Sequence, residues 1–304
     1  MPLNHQQPGP TATVRSARVV AARKLLRRAV RRSEGAFLAD GPQAVREALR
    51  FHSPNGGIGA DHPVYGDVGA KPTGGPAGRG GVVQVREVYV DAEHAERHAD
   101  LLALADRAGV RVLPCEPKAI ASLSEAVTPQ GIVARCAVLD VPLDRVCAGA
   151  PRLLAVPVDV RDPGNLGTII RCADASGADG VAILGDSVDL YNSKTVRATA
   201  GSIFHLPIAF EHDAAAAIGA LRAAGLQVIA TEGEASTDLD DFIDAGGLAA
   251  PTAWLFGNEA HGLADEVAAL ADVRLRIPIR GMAESLNLST AAAICLFASA
   301  RAHR

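Results

Sequence analysis

Aromatic side chains are scarce: 7 Phe, 3 Tyr and 1 Trp amount to 4% of 304 residues. So few rings leave few platforms for stacking single-stranded bases, so a polyanionic partner would be gripped by charge and shape. The 5 cysteines, Cys115, Cys136, Cys147, Cys172 and Cys295, are odd in number and include no C-x-x-C pair. That excludes a disulfide framework and a cysteine zinc site, and leaves them as small core hydrophobes. His94 and His98 stand four apart, but the run His-Ala-Glu-Arg-His is crowded with charge and reads as a solvated helix face. No metal is expected. No stretch nears the roughly 20 apolar residues of a membrane span, and the polar segment Met1–Pro10 lacks the apolar core of a secretory signal. A cytoplasmic protein without membrane attachment is the expectation. Three phosphate or nucleophile signatures are missing as well: G-x-G-x-x-G after a strand, G-x-x-x-x-G-K-[ST], and G-x-S-x-G. Their absence removes support for a dinucleotide cradle, an ATP cradle and the usual hydrolase elbow.

What is present is an ordinary globular mixture, 48% hydrophobic and 21% charged, in a length of about two domains. The formal net charge is −4, yet the segment from Arg15 to Arg32 holds Arg15, Arg18, Arg23, Lys24, Arg27, Arg28, Arg31 and Arg32 with no acidic residue. The rest of the chain then carries 22 basic against 34 acidic residues. A basic arm on an acidic body points to a polyanion. From His52 to Gly81, 14 of 30 residues are Gly or Pro, which reads as a flexible surface insertion. Around it lie a strand-like Phe37-Leu38-Ala39, an amphipathic helix over Pro42–Leu49, an alternating strand over Val82–Val90, a helix over Ala95–Ala108 and a short strand over Val110–Leu113. A further strand is expected within Gly131–Leu139.

Beyond Leu153 the pattern changes. Apolar runs at Leu153–Val158, Val181–Leu184, Ile203–Ile208, Leu226–Ala230, Ala253–Phe256 and Val273–Ile277 alternate with helix-length segments, and an Ala-rich helix follows Asn287. Continuous apolar strands between helices predict a mainly parallel sheet covered on both faces. Ligands of such sheets sit at the carboxyl ends of the strands.

Three loops at predicted strand ends carry the chemistry. The first contains Asp159 and runs through Pro163 and Gly164 to Asn165, Gly167 and Arg171; taken by itself it also fits an N-cap at Asn165 and an Arg171–Asp174 pair. The second is Gly257-Asn258-Glu259-Ala-His-Gly262, in which Glu259 could equally open the next helix. The third runs from Ile277-Pro278 through Met282, Ser285, Leu286 and Asn287 to Ser289, whose small polar residues can cap the last helix or receive a ligand.

N-x-G-x-x-x-R within Asn165–Arg171, G-N-E-x-x-G within Gly257–Gly262, and I-P-I…S-L-N-L-S from Ile277 to Ser289 resemble, in order and spacing, the three motifs of the SpoU/TrmH family. These are S-adenosylmethionine-dependent RNA ribose 2′-O-methyltransferases of the SPOUT superfamily. Ala121–Ala134 and Phe37–Leu49 are similar, more loosely, to the L30e-like RNA-binding domain found ahead of such catalytic domains; the His52–Gly81 insertion departs from it. The resemblance implies an α/β chain: a basic arm over 1–32, an L30e-like domain over 33–118 interrupted at 52–81, a junction over 119–151, and a SPOUT domain with a trefoil knot over 152–304. It also implies a homodimer.

Carried over by position, the methyl donor would touch Thr231, Gly257, Ile277, Pro278, Met282 and Leu286, largely through backbone atoms. Arg171 takes the family's catalytic position. Arginine stays protonated in proteins, so its expected work is to stand as a cation beside the developing alkoxide while another group accepts the proton. Asn165 and Glu259 are expected to orient Arg171 and the loops, and Ser285 and Asn287 to fix the donor loop and the ribose. Lys194 and Arg197, within Tyr191–Arg197, join Arg15, Arg18, Arg23, Lys24, Arg27 and Arg28 as expected phosphate contacts. A folded RNA, ribosomal and of the large subunit, is the expected substrate. A transfer RNA methyltransferase and a non-catalytic RNA-binding assembly protein are the alternatives.

Overall fold

Apolar runs of two kinds build two sheets. The computed structural model describes residues 11–53 and 82–304, and the chain divides into two compact units. The first holds Val82–Val138, Tyr191–Arg197 and the described residues up to 53. Its elements are α1 (Ala17–Lys24), α2 (Arg28–Glu34), β1 (Ala36–Asp40), α3 (Pro42–Arg50), β2 (Val85–Asp91), α4 (Ala99–Arg107), β3 (Val112–Cys115), α5 (Pro117–Ala121) and β4 (Ile132–Ala137). The sheet order is β1-β4-β2-β3, antiparallel except for β2 with β3.

The basic segment is not a detached arm. Val19, Ala22 and Leu25 are buried together with Ala36, Leu38, Tyr89, Cys115 and Val133, so α1 and α2 belong to the core of this unit. Nor is there a separate junction: Ala119, Ile120 and Leu123 join the same cluster, and from Leu139 the chain passes directly into the second unit. The strand expected over Val110–Leu113 starts two residues later, at Val112. The His52–Gly81 insertion lies, from residue 54 on, outside the described residues. His94 and His98 are not on a solvated helix: Ala95–His98 is a 3-10 turn, His98 is buried with Nε2 against the Gln130 carbonyl at 2.9 Å, and His94 Nδ1 meets Asp91 at 2.9 Å.

The second unit holds Leu139–Leu190 and Ala198–Arg304. In chain order come α6 (Leu143–Cys147), β5 (Leu153–Pro157), α7 (Pro163–Ser176), β6 (Gly180–Leu184), β7 (Ile208–Glu211), α9 (Ala214–Ala223), β8 (Gln227–Thr231), β9 (Thr237–Asp238), α10 (Leu239–Asp244), β10 (Thr252–Phe256), α11 (Asp265–Ala268), β11 (Val273–Arg276) and α12 (Leu288–Ala302); α8 (Ser193–Ala198) lies almost wholly in the first unit. The sheet order is β7-β6-β5-β10-β8-β11-β9, and every pairing is parallel. β5, β6 and β10 are buried along their whole length, as strands covered on both faces must be. The expected strand over Ile203–Ile208 is mostly not one. Ser202–Phe204 forms a 3-10 turn, Ser202 donates to Asp174, and the strand begins after Pro207, which has no N–H for a ladder.

Helix α12 packs on α7, β5 and β10. Its Ser299 accepts from Trp254 Nε1 at 2.9 Å, with both residues fully buried. Ser299→Ala strands that indole N–H, a cost of about 1–3 kcal/mol, so thermal unfolding should fall by several degrees. A melting temperature equal to the parent's would show that the bond carries no weight. The five cysteines are all free, and three of them, Cys115, Cys136 and Cys295, are buried; burial pushes the Cys115 thiol up to about 11, as suits a packing residue.

Candidate functional site

The turn out of β5 is built for a sharp helix start. Asp162 caps α7 by accepting from the Asn165 N–H at 2.8 Å, and Pro163 sits at the first helical position, where its missing N–H costs nothing. The cap is therefore Asp162, not Asn165, and the Asn165 carboxamide is left to reach outward.

It reaches the other two loops. Asn165 Nδ2 donates to Glu259 Oε1 at 3.0 Å, and Asn165 Oδ1 accepts from Asn287 Nδ2 at 3.0 Å. Glu259 also accepts from the N–H of Asp162 on Oε1 at 3.0 Å and from that of Arg161 on Oε2 at 3.1 Å. Asn287 caps α12, its Oδ1 accepting from Ser289 N at 2.9 Å and Thr290 N at 3.3 Å. One chain of side chains, Glu259–Asn165–Asn287, thus ties the first loop to two others that lie 94 and 122 residues further along the sequence. Partial burial works upward on the Glu259 carboxyl. The hydrogen bonds from Asn165, Arg161 and Asp162 outweigh it and hold the group below the usual carboxylate range.

The second loop closes tightly on itself. Asn258 exchanges backbone bonds with Gly262 at 2.8 and 2.9 Å, and Asn258 Nδ2 donates to the Asp159 carbonyl at 2.8 Å. A Cβ on Gly257 would lie 2.4 Å from backbone atoms of Gly262 and Leu263, so no side chain fits there. Thr231, at the end of β8, donates to the Leu255 carbonyl at 3.2 Å.

The third loop is different. Ile277 and Pro278 are half-buried and residues 279–287 are exposed, Met282 completely. Among the described residues, no backbone group of 277–286 bonds to another backbone group. This stretch offers unpaired N–H and C=O groups beside the apolar Ile279, Met282 and Leu286. That combination fits the methyl donor implied by the motifs, whose purine edge needs hydrogen-bonding backbone and whose rings need apolar cover.

Arg171 stands apart. It is exposed and has no hydrogen-bond or ion-pair partner among the described residues. Six residues beyond Asn165, it lies about 240° further round a helix of 3.6 residues per turn. Neither Asn165 nor Glu259 hydrogen-bonds to it, contrary to the expectation that they would orient it. Asp174, the alternative partner, accepts from Ser202 and from His205 Nδ1 at 2.7 and 2.8 Å. Ser285 is exposed at the open loop. Asp162 lies outside the motifs, although an Asp before Pro-Gly is a recognisable helix start, and Asn258, the Asn of G-N-E-x-x-G, has no role among the expected site residues.

In the first unit the basic residues divide. Arg15, Arg23, Lys24, Arg27, Arg28 and Arg32 are exposed, and Arg28, Ala29, Arg32 and Ser33 line a shallow hollow. Arg18 is not purely outward: it pairs with Glu87. Arg31 is buried, its guanidinium donating to the Leu25 and Leu26 carbonyls at 2.9 and 2.8 Å, where it braces the α1–α2 turn. Lys194 is exposed, but Arg197 turns to the buried Asp40 at 3.3 Å, which spends its charge inside the unit. Among the described residues no cluster suits a metal ion, and no helix is long and apolar enough to cross a membrane.

The chain matches the SpoU rRNA methylase family over residues 152–297 and an RNA 2′-O ribose methyltransferase substrate-binding domain over residues 77–141. It is 30% identical over 226 residues to a 23S rRNA (guanosine-2′-O-)-methyltransferase, RlmB, of Nitrosomonas europaea, covering 72% of this chain and 85% of that one. Among solved structures, an AdoMet-bound rRNA methyltransferase from Sinorhizobium meliloti superposes with a TM-score of 0.73 at 30% identity, covering 97% of this chain and 98% of that one. The SpoU methyltransferase AviRb from Streptomyces viridochromogenes, in complex with AdoMet, gives 0.72 at 28%, covering 94% and 98%.

Proposed function

The chain belongs to the SpoU rRNA methylase family, and from that premise we propose that it methylates a ribose 2′-hydroxyl of large-subunit ribosomal RNA, using S-adenosylmethionine. The observation that carries this reading is the Glu259–Asn165–Asn287 clasp, which gathers all three motif loops at the carboxyl ends of parallel strands. The relatives named above act on 23S rRNA or carry bound AdoMet, which supports the choice of substrate and donor.

When bound, the donor supplies a methyl group on a positively charged sulfur. Thr231, Gly257, Ile277, Pro278, Met282 and Leu286 would hold it, chiefly through the open backbone of the third loop. Asn165, Glu259 and Asn287 keep that loop in place, and Ser285 faces the ribose. Arg171 provides a cation for the 2′-oxygen as it loses its proton. Because Arg171 lies outside the clasp, a second copy of the chain completes the site. Ile294 and Phe297 on α12, 39% and 50% exposed, together with Met282, give that copy an apolar face. A trefoil knot in the carboxyl-terminal half, an L30e-like role for the first unit and a cytoplasmic setting belong to the same reading.

The RNA is held through phosphates by the exposed residues of α1 and α2 and by Lys194. Labelled donor incubated with 23S rRNA transcripts should leave label in alkali-resistant dinucleotides, since a 2′-O-methyl group blocks the hydroxyl that drives alkaline cleavage. Affinity should fall steeply with salt, and alanine at Arg23, Lys24, Arg27 and Arg32 should flatten that slope by roughly 0.7–0.9 per lost phosphate contact. Label on a base, or none at all, would remove this function.

A further inference from the structure

We infer that Asp159 is a positioning residue of the clasp: its left-handed backbone, pinned from two sides, aims the N–H groups of Arg161 and Asp162 at Glu259. The inference rests on the methyltransferase reading and deepens it, because the pinning residues 184–188 belong to none of the three motifs.

Asp159 follows β5 and has a φ of +53°, a conformation that costs most L-residues and that Asp tolerates because its short side chain can bond locally. Here that side chain does so, Oδ1 accepting from the Asp186 N–H at 2.8 Å. The opposing residue must be small. A Cβ on Gly185, itself at φ +67°, would sit 2.5 Å from Asp159 Oδ1. Val160 is held by the same loop: its N–H donates to Ser187 Oγ at 3.1 Å and its carbonyl accepts from Val188 N at 2.8 Å. Ser187 is buried and in turn donates to the Leu184 carbonyl at 2.9 Å. From the other side, Asn258 Nδ2 grips the Asp159 carbonyl at 2.8 Å.

Both residues ahead of Arg161 are therefore fixed, and the chain has one direction in which to leave β5. The next two N–H groups reach Glu259 at 3.1 and 3.0 Å. An unfavourable backbone conformation persists where its surroundings over-determine it, and such positions concentrate at functional sites. Asp159 makes no hydrogen bond to the open donor loop among the described residues, so its action passes through Glu259 and Asn258.

The test uses the full chain carrying Asp159→Ala, Asp159→Asn or Gly185→Ala. S-adenosylmethionine affinity is measured by calorimetry, kcat and KM with rRNA transcript, and folding by thermal melting. Asn accepts the left-handed backbone and keeps an oxygen for Asp186, so it should hold donor affinity within about threefold of the parent, whereas Ala should weaken it about tenfold. Gly185→Ala, which presses on the same turn from the opposite side, should behave like Asp159→Ala. In both, KM for the donor should rise more than kcat at saturation falls. Should Asp159→Ala not fold, Gly185→Ala and the Asn rescue still decide the matter. Donor affinity in Asp159→Ala equal to the parent's, or an Asn variant as weak as the Ala variant, overturns the inference alone. A parent chain that takes up no donor overturns the functional reading and this inference with it.

Discussion

Arg171→Ala lowers kcat for methyl transfer by about 10²–10³-fold while melting temperature and donor affinity stay near parental values. The size is that of removing one cation or donor beside a developing oxyanion, a loss of about 2.7–4 kcal/mol in transition-state stabilisation. The selectivity follows from position. Arg171 is exposed and unpaired among the described residues, so its removal breaks no bond that holds the fold or the clasp. A fall in kcat with unchanged donor KM marks an interaction made in the transition state. Arg171→Lys separates charge from shape: lysine keeps a positive point but loses the planar fork, and a lysine enzyme working near the full rate would reject the proposed role.

The second large effect lies at Glu259. Three N–H donors converge on its two oxygens, from Arg161, Asp162 and Asn165. Glu259→Gln turns one acceptor into a donor, which must then face an N–H. Charge-assisted bonds of this kind are each worth about 1.5–3 kcal/mol, so donor affinity should drop by roughly 10–100-fold. The parent should show the same loss on acidification. Hydrogen bonding lowers the folded-state pKa of Glu259 below its unfolded value despite partial burial. Its contribution is therefore complete above the ordinary carboxylate range and disappears as pH falls through the lowered value. Donor binding measured from neutral pH downward should hold level through the ordinary carboxylate range before falling, and in Glu259→Gln this acid limb should vanish. A Gln variant that binds donor normally would mean that the clasp is not part of the site.

Much of this arrangement is legible in the sequence. Apolar runs such as Leu153–Val158 and Ala253–Phe256 mark strands buried on both faces, and turn residues after them mark the loops where ligands collect. Asn287 before an Ala-rich run marks a helix start. Other features were hidden for physical reasons. The run Ile203–Ile208 is apolar because it is buried, and burial alone does not distinguish a strand from a 3-10 turn. Thr237–Asp238 is too short to show a period. A count of positive residues between 15 and 32 records charge but not partners, so it could not set Arg31, folded back on the Leu25 and Leu26 carbonyls, apart from Arg32. Asp159 shows the limit most plainly. Outside glycine, the sign of a backbone angle is not written in residue type, and the constraint comes from Gly185 and Asn258, distant in sequence.

Asn287 performs two tasks with one carboxamide, sealing the first turn of α12 and holding Asn165. The closing helix and the first motif loop consequently share a single thermodynamic fate. Whatever tightens the pocket must also firm the beginning of that helix, and whatever frays the helix must loosen the pocket. In the proposed dimer α12 is also the segment offered to a second subunit, so assembly and occupancy of the pocket should be coupled through it, each strengthening the other.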